Sequence, residues 1–266
     1  MLLPRADAMP LEAALANYET QGWARLGPVF DPDYLAALRE RADRIMLGEI
    51  VHDGLFFQHD AATGRYDDLP RGLGWQGPSL RYRKIEKLEK DPVFRAVLEN
   101  ALFERIARAR IDGGIVLYRA VLFTKAAAGG TELPWHQDGG SFWGLSRDPS
   151  LQIWSALDDT PVEAGCVEVI PGSHKHGLAT PLGGVIPDDV AARHDAAARA
   201  VPLPAKAGEC LLIHNHLWHR SGINRTGRPR RAFTVCLMSE AIRCTRRKRA
   251  ARTFLPLFRR KGVTLG

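Results

Sequence analysis

His136-Gln137-Asp138 sets an imidazole and a carboxylate two residues apart, and a second imidazole, His219, follows 81 residues after Asp138. On an extended strand, side chains at that spacing point to the same side. Two nitrogens and one oxygen can hold one face of a ferrous ion and leave the opposite face open to substrate and oxygen. The set lacks the thiolates of a typical structural zinc site. Arg230, eleven residues beyond His219, is the right kind of group to grip a carboxylate through two parallel hydrogen bonds. Together these four residues point to iron-dependent oxygenation with an organic acid as co-substrate.

His-x-Asp alone is a weak signal in a chain with nine histidines. His174-x-His176 and His214-x-His216 share the same-face spacing, and the latter pair with His219 would make an all-histidine site of the zinc or cupin type. That reading leaves Asp138 and Arg230 without a role. His52 and His59 read as ordinary loop histidines. Arg228 and Arg231 compete with Arg230, but strand alternation turns Arg231 to the opposite face.

Four segments carry a resemblance to a known family: His136-Gln137-Asp138; Gly165-Cys166-Val167-Glu168-Val169-Ile170-Pro171-Gly172-Ser173-His174; Ala207-Gly208-Glu209-Cys210-Leu211-Leu212-Ile213-His214; and His219-Arg220-Ser221-Gly222-Ile223-Asn224 followed by Arg230-Arg231-Ala232. The chain resembles the phytanoyl-CoA dioxygenase family of iron(II)/2-oxoglutarate oxygenases. The resemblance implies a double-stranded β-helix, that is, a jelly-roll, cupin-like core. It implies His136, Asp138 and His219 as iron(II) ligands. It also implies 2-oxoglutarate and O2 as co-substrates, with Arg230 and Ser221 on the distal carboxylate of the acid, Trp154 beside it and Lys84 near the same ligand. Relatives that halogenate replace the aspartate by a small residue. Asp138 therefore favours hydroxylation, or a related oxidation such as desaturation or ring closure.

The elements that must position these groups fall into two halves. Leu11, Ala14, Leu15 and Tyr18 recur at helical spacing. Asp31-Pro32 and Asp91-Pro92 are helix starts, the first followed by Leu35, Leu38, Ala42 and Ile45, the second by Phe94, Val97, Leu98, Ala101 and Leu102. Residues 52–80, rich in Gly, Asp and aromatics, read as a long loop, and such loops often act as lids. From residue 115 the pattern changes to short strands: Ile115–Tyr118, Val121–Thr124, Leu151–Trp154, Val167–Ile170, Leu211–Ile213 and Ala232–Leu237. The expected fold is mainly β with flanking helices. It forms one oxygenase domain over 1–266: a helical layer and lid loop (1–112), a jelly-roll core (113–240) and a basic tail (241–266). Residues 179–205 read as an insertion over the site mouth. Trp135, Phe142 and Trp143 flank the motif and are candidates to shape a substrate pocket, as well as for plain packing.

Composition narrows the setting. No apolar run is long enough to span a membrane, and the first residues lack the apolar core of a secretory signal. The four cysteines, at 166, 210, 236 and 244, have no close metal-binding spacing, which fits free thiols and a cytoplasmic location. Nine of the 37 Lys and Arg lie between 243 and 261, and removing them leaves 28 basic against 30 acidic residues. The net charge of +7 is thus a property of the tail, where Phe254, Leu255, Leu257 and Phe258 imply docking on the body. The leading expectation is a dioxygenase acting on a small organic or natural-product substrate, releasing succinate and CO2. Two alternatives stand beside it: a non-catalytic cupin-like metal- or ligand-binding protein, and a nucleic-acid-directed oxygenase recruited by the tail. No helix-turn-helix or aromatic RNA-binding signature supports the last. Substrate identity and oligomeric state are not legible.

Overall fold

Helical spacing of apolar residues places α1 at Leu11–Gln21, burying Ala14 and Tyr18. The computed structural model describes residues 10–127, 129–247 and 250–259. Both Asp-Pro pairs start helices, because the aspartate oxygen accepts free N–H groups and proline at the first turn forfeits no bond. Asp31 caps α2 (Pro32–Met46) through the Tyr34 N–H at 2.8 Å, and Asp91 caps α3 (Pro92–Leu98) through Val93 and Phe94 at 3.0 and 3.2 Å. The stripe expected to run on to Leu102 is broken. Asn100 caps a separate helix, α4 (Ala101–Arg110), which buries Phe103, Ile106 and Ala107 and leaves Ala101 outside.

Thirteen strands follow in chain order among the described residues. They are β1 (Trp23–Pro28), β2 (Phe56–His59), β3 (Tyr82–Glu86), β4 (Ile115–Lys125), β5 (Leu133–Gln137), β6 (Leu151–Ala156) and β7 (Val167–Val169); then β8 (Gly184–Val185), β9 (Val201–Leu203), β10 (Glu209–His214), β11 (His219–Ser221), β12 (Arg230–Ser239) and β13 (Leu255–Phe258). The larger sheet runs β1-β10-β6-β12-β4-β3-β2, with β13 on the β4 edge; the smaller runs β8-β5-β11-β7-β9. Every pairing is antiparallel. Trp154, Leu211, Ile213 and Ala232 of the large sheet pack with Val167, Val169 and Leu203 of the small one. The two sheets are thus the halves of a jelly roll.

The other face of the large sheet carries Leu122, Phe233, Val235 and Leu237 against α1 to α4. Each large side chain fully buried there contributes about 1.5–3 kcal/mol, so this layer holds the sheet rigid under the site.

Several elements differ from expectation. The presumed loop 52–80 contains β2, which pairs with β3. The two short strands expected at 115–124 are one strand with a bulge: Cys236 faces Arg119 and Leu237 faces Leu117, so Tyr118 is the extra residue. Residues 179–205 hold β8, β9 and α5 (Asp188–Arg193), and Gly184 and Val185 border the cavity described below. The tail docks as expected where it is described, with Leu255 opposite Leu117 and Phe258 opposite Ile115. Lys248, Arg249, Arg260 and Lys261 lie outside the described residues. No described helix is long and apolar enough to cross a membrane.

Candidate metal centre

β5 delivers His136 and β11 delivers His219, and the two residues are cross-strand partners. Asp138 follows β5 directly. One ligand atom from each of the three lies within 4.8 Å of the others. Nδ1 of His136 lies 2.9 Å from the Pro134 carbonyl and Nδ1 of His219 lies 2.8 Å from the Leu217 carbonyl. A carbonyl only accepts, so both Nδ1 atoms carry the proton and both Nε2 atoms present a free lone pair. Burial, with His219 close by, pushes the pKa of His136 down to about 3. The imidazole is therefore neutral at physiological pH, as a metal ligand must be.

Asp138 is held by two donors on Oδ2, the Arg119 guanidinium at 2.9 Å and the Gln152 amide at 2.8 Å. Burial alone would raise its pKa, but Arg119, then His219 and His136, outweigh it and keep the carboxylate ionised. Neither Arg119 nor Gln152 stands out in the sequence as a motif. The available signal was a charged or amide side chain interrupting an apolar strand, which marks a polar inward face.

The same residues open onto a cavity of about 240 Å3. Ser221, Trp154, Lys84 and Arg230 also line it. Arg230 is buried at the start of β12, donates to the Gly165 carbonyl and lies 5.9 Å over the Trp154 ring, while its Nε has no partner. Burial lowers its pKa to about 10, so it keeps its charge. Lys125, its cross-strand neighbour on β4, also lines the cavity and donates to the Thr131 carbonyl at 2.6 Å. Burial, then Arg230 and Arg83, pushes the Lys125 pKa well below its ordinary value. No carboxylate among the described residues pairs with Arg230 or Lys125, and buried charge without a counter-charge is costly. This end of the cavity presents the buried Arg230 guanidinium and the Lys125 amine, a donor-rich surface whose chemistry suits an anion. Lys84 borders the space but forms an ion pair with Glu86.

The competing histidines are placed elsewhere. His174 faces the Glu19 carbonyl, His216 pairs with Asp148 at 2.8 Å, and His52 pairs with Asp91 at 2.8 Å. His59 stacks on Tyr82 with ring centroids 4.0 Å apart. His214 stands beside His174 and His216 and does not join His219 at the metal-compatible cluster. Arg231 turns to the helical side and binds Asp158 and Asp43, while Arg228 is exposed. Phe142 and Trp143 line the cavity, but Trp135 does not. As the neighbour of His136 on a strand, Trp135 faces away and packs with Ile170 and Trp218. Cys166, Cys210 and Cys236 are buried thiols, and Cys244 is partly exposed.

Comparisons with known proteins identify the family. The chain is 31% identical over 159 residues to phytanoyl-CoA dioxygenase domain-containing protein 1 of Bos taurus, covering 57% of this chain and 54% of that protein. It therefore spans about half the length of that relative. Phytanoyl-CoA dioxygenase 1 of Oryza sativa subsp. japonica is 30% identical over 259 residues, covering 88% of this chain and 90% of that protein. The crystal structure of EctD from S. alaskensis with 2-oxoglutarate and 5-hydroxyectoine superposes with a TM-score of 0.72 at 21% identity, covering 97% of this chain and 89% of that one, and shares the fold. The phytanoyl-CoA dioxygenase (PhyH) family matches residues 18–232. That match covers most of the chain, including every cavity residue named above, and the chain belongs to the PhyH family.

Proposed function

We propose that this chain is an iron(II)/2-oxoglutarate-dependent dioxygenase that hydroxylates a small organic substrate. The observation that carries this reading is the meeting of two opposite demands in one cavity. Two Nε2 lone pairs and a carboxylate call for a cation. The buried Arg230, with a partnerless Nε and no carboxylate paired to it among the described residues, calls for an anion. A dicarboxylate that chelates a ferrous ion through one end meets both.

His136, Asp138 and His219 would hold the iron. With 2-oxoglutarate and dioxygen, iron at such a site supplies an oxidant able to remove hydrogen from a C–H bond, with release of succinate and carbon dioxide. The chain's own contribution is placement. Arg230 would take the distal carboxylate in a bidentate bond, Ser221 would donate to it, and Lys125 would offer a further N–H donor at the same end. Trp154 closes the wall behind the acid and keeps water from the pair, which strengthens it. Phe142, Trp143 and Val185 line the cavity and would contact the substrate.

Purified protein supplied with ferrous iron should convert 2-oxoglutarate to succinate only in the presence of oxygen. An iron-loaded, folded protein that leaves 2-oxoglutarate untouched under every substrate tried would overturn the reading and favour a binding protein.

A further inference from the structure

Resting on the metal reading above, we propose that Arg119 is a positioning residue for the Asp138 carboxylate, and that the C-terminal segment steadies it through a stack of side chains.

The stack has four layers. The Arg252 guanidinium lies 4.4 Å over the Tyr118 ring and donates to the Tyr118 hydroxyl at 3.2 Å. Tyr118 stacks on Trp143 with centroids 4.5 Å apart and planes 10° from parallel. The Arg119 guanidinium covers Trp143 at 4.7 Å and bonds Asp138 at 2.9 Å. Phe254 flanks the outer end, 6.1 Å from Tyr118.

Adjacent residues on a regular strand face opposite ways. Tyr118 and Arg119 nevertheless both contact Trp143. The bulge in β4 at Tyr118 accounts for this, because the extra residue re-aims its side chain. Without the bulge only one of the two could reach the ring.

The segment is also tied to the loop carrying Trp143. Thr245 N–H donates to the Gly144 carbonyl at 2.9 Å, Ser146 N–H donates to the Arg243 carbonyl at 2.9 Å, and Leu145 bridges to Cys244. β13 then pairs with the first part of β4, beside the bulge. The segment thus grips the two elements, β4 and the Trp143 loop, between which Arg119 is held.

The consequence for Asp138 is rotational. Arg119 and Gln152 approach the same oxygen and fix the carboxylate about its last torsion. A residue that orients a ligand in this way typically changes metal affinity by about 10- to 100-fold when altered. Charge and orientation act in opposite senses here: a cation near the metal opposes its binding, while the fixed carboxylate favours it. Arg119→Lys separates them, because it keeps the charge and loses the planar fork and its stacking.

The test is titration of the metal-free protein with cobalt(II), followed by its visible absorption, on variants whose thermal unfolding confirms a folded chain. Arg119→Lys should bind cobalt(II) about 10-fold more weakly than the parent. Arg252→Met, at the outer layer of the stack, should weaken it by about 2- to 5-fold, the worth of a cation–π contact. The double variant should be no weaker than Arg119→Lys, because both act through one stack. Cobalt(II) affinity unchanged in Arg119→Lys would overturn the proposal, and so would effects that multiply fully in the double variant. Asp138→Ala serves as the reference. If it too binds cobalt(II) as tightly as the parent, the metal reading itself fails; if it alone loses binding, only the positioning role does.

Discussion

His136 and His219 face each other across β5 and β11 with ring centroids 3.9 Å apart. Two imidazoles that close, both with Nδ1–H tied back to their own strand or turn, must turn their free nitrogens into the same space. The pair register of two short strands therefore brings together two of the three candidate ligands. Asp138 completes it because it follows β5 directly, with its own N–H bonded to the Asn215 carbonyl at 2.8 Å.

Removal of the carboxylate should be decisive. Asp138→Ala is expected to lower iron-dependent succinate formation by at least about 100-fold, since a bound metal supplies several kcal/mol of transition-state stabilisation. The check is 2-oxoglutarate turnover at saturating ferrous iron, with unfolding measured in parallel.

Arg230 should act on the co-substrate. Loss of a charge-assisted hydrogen bond is worth about 1.5–3 kcal/mol, so Arg230→Met is expected to raise the 2-oxoglutarate KM by about 10- to 100-fold. Its effect on iron affinity in the absence of 2-oxoglutarate should be small. A KM at the parent value would remove Arg230 from the co-substrate site.

Gly165 sits behind Arg230 and tolerates no side chain. Its φ is +69°, and a Cβ there would lie 2.2 Å from the Gly222 carbonyl oxygen. Gly165→Ala combines a left-handed backbone with a backbone overlap and should cost about 2 kcal/mol or more. Urea unfolding measures the loss. Because Arg230 donates to the Gly165 carbonyl, the variant should also raise the 2-oxoglutarate KM.

Acid should destabilise the metal-free protein through its buried histidines. Burial, then His174, His216 and Arg110, lowers the pKa of His214 from 6.5 to about 3. Between those values the unfolded chain takes up the proton and the folded chain does not. This stability is thus complete above pH 6.5 and is lost as pH falls toward 3. Denaturation midpoints measured from pH 7 down to pH 4 should show a shallower slope for His214→Gln, by up to about 1.4 kcal/mol per pH unit. An unchanged slope would assign the acid sensitivity to other groups, His136 among them.

Chemistry that depends on residue type was legible in the chain. Metal ligation needs imidazole and carboxylate at strand spacing, and the His136-Gln137-Asp138 triplet with His219 carries that demand openly. Arg230 was separable from Arg231 by strand alternation, and the structure turns the two to opposite faces. The Asp-Pro helix starts were equally readable, because capping is local. Asn100 ended the second apolar stripe for the same local reason, yet periodicity alone ran across it.

What depends on distant contact was not legible. Lys125, Arg119 and Gln152 are ordinary polar residues in apolar strands until β4, β6 and β12 align and turn them inward. Trp135 was open to either a pocket or a packing role because it adjoins His136, and the pleat decides for packing. The strand β2 was hidden in a segment rich in turn residues, and its hydrogen bonds come from β3 and from Leu73, contacts that no local pattern announces. The sequence by itself singled out His136, Asp138 and His219 as candidate ligands, Arg230 as a candidate anion binder and the mainly β core, since these readings follow from side-chain chemistry and short-range periodicity. Only the tertiary structure decided the bulge at Tyr118, the hold of Arg119 on Asp138 and the place at which the C-terminal segment docks, beside β4 and the Trp143 loop. Register and close approach between segments far apart in the chain are set by packing, which no local pattern encodes.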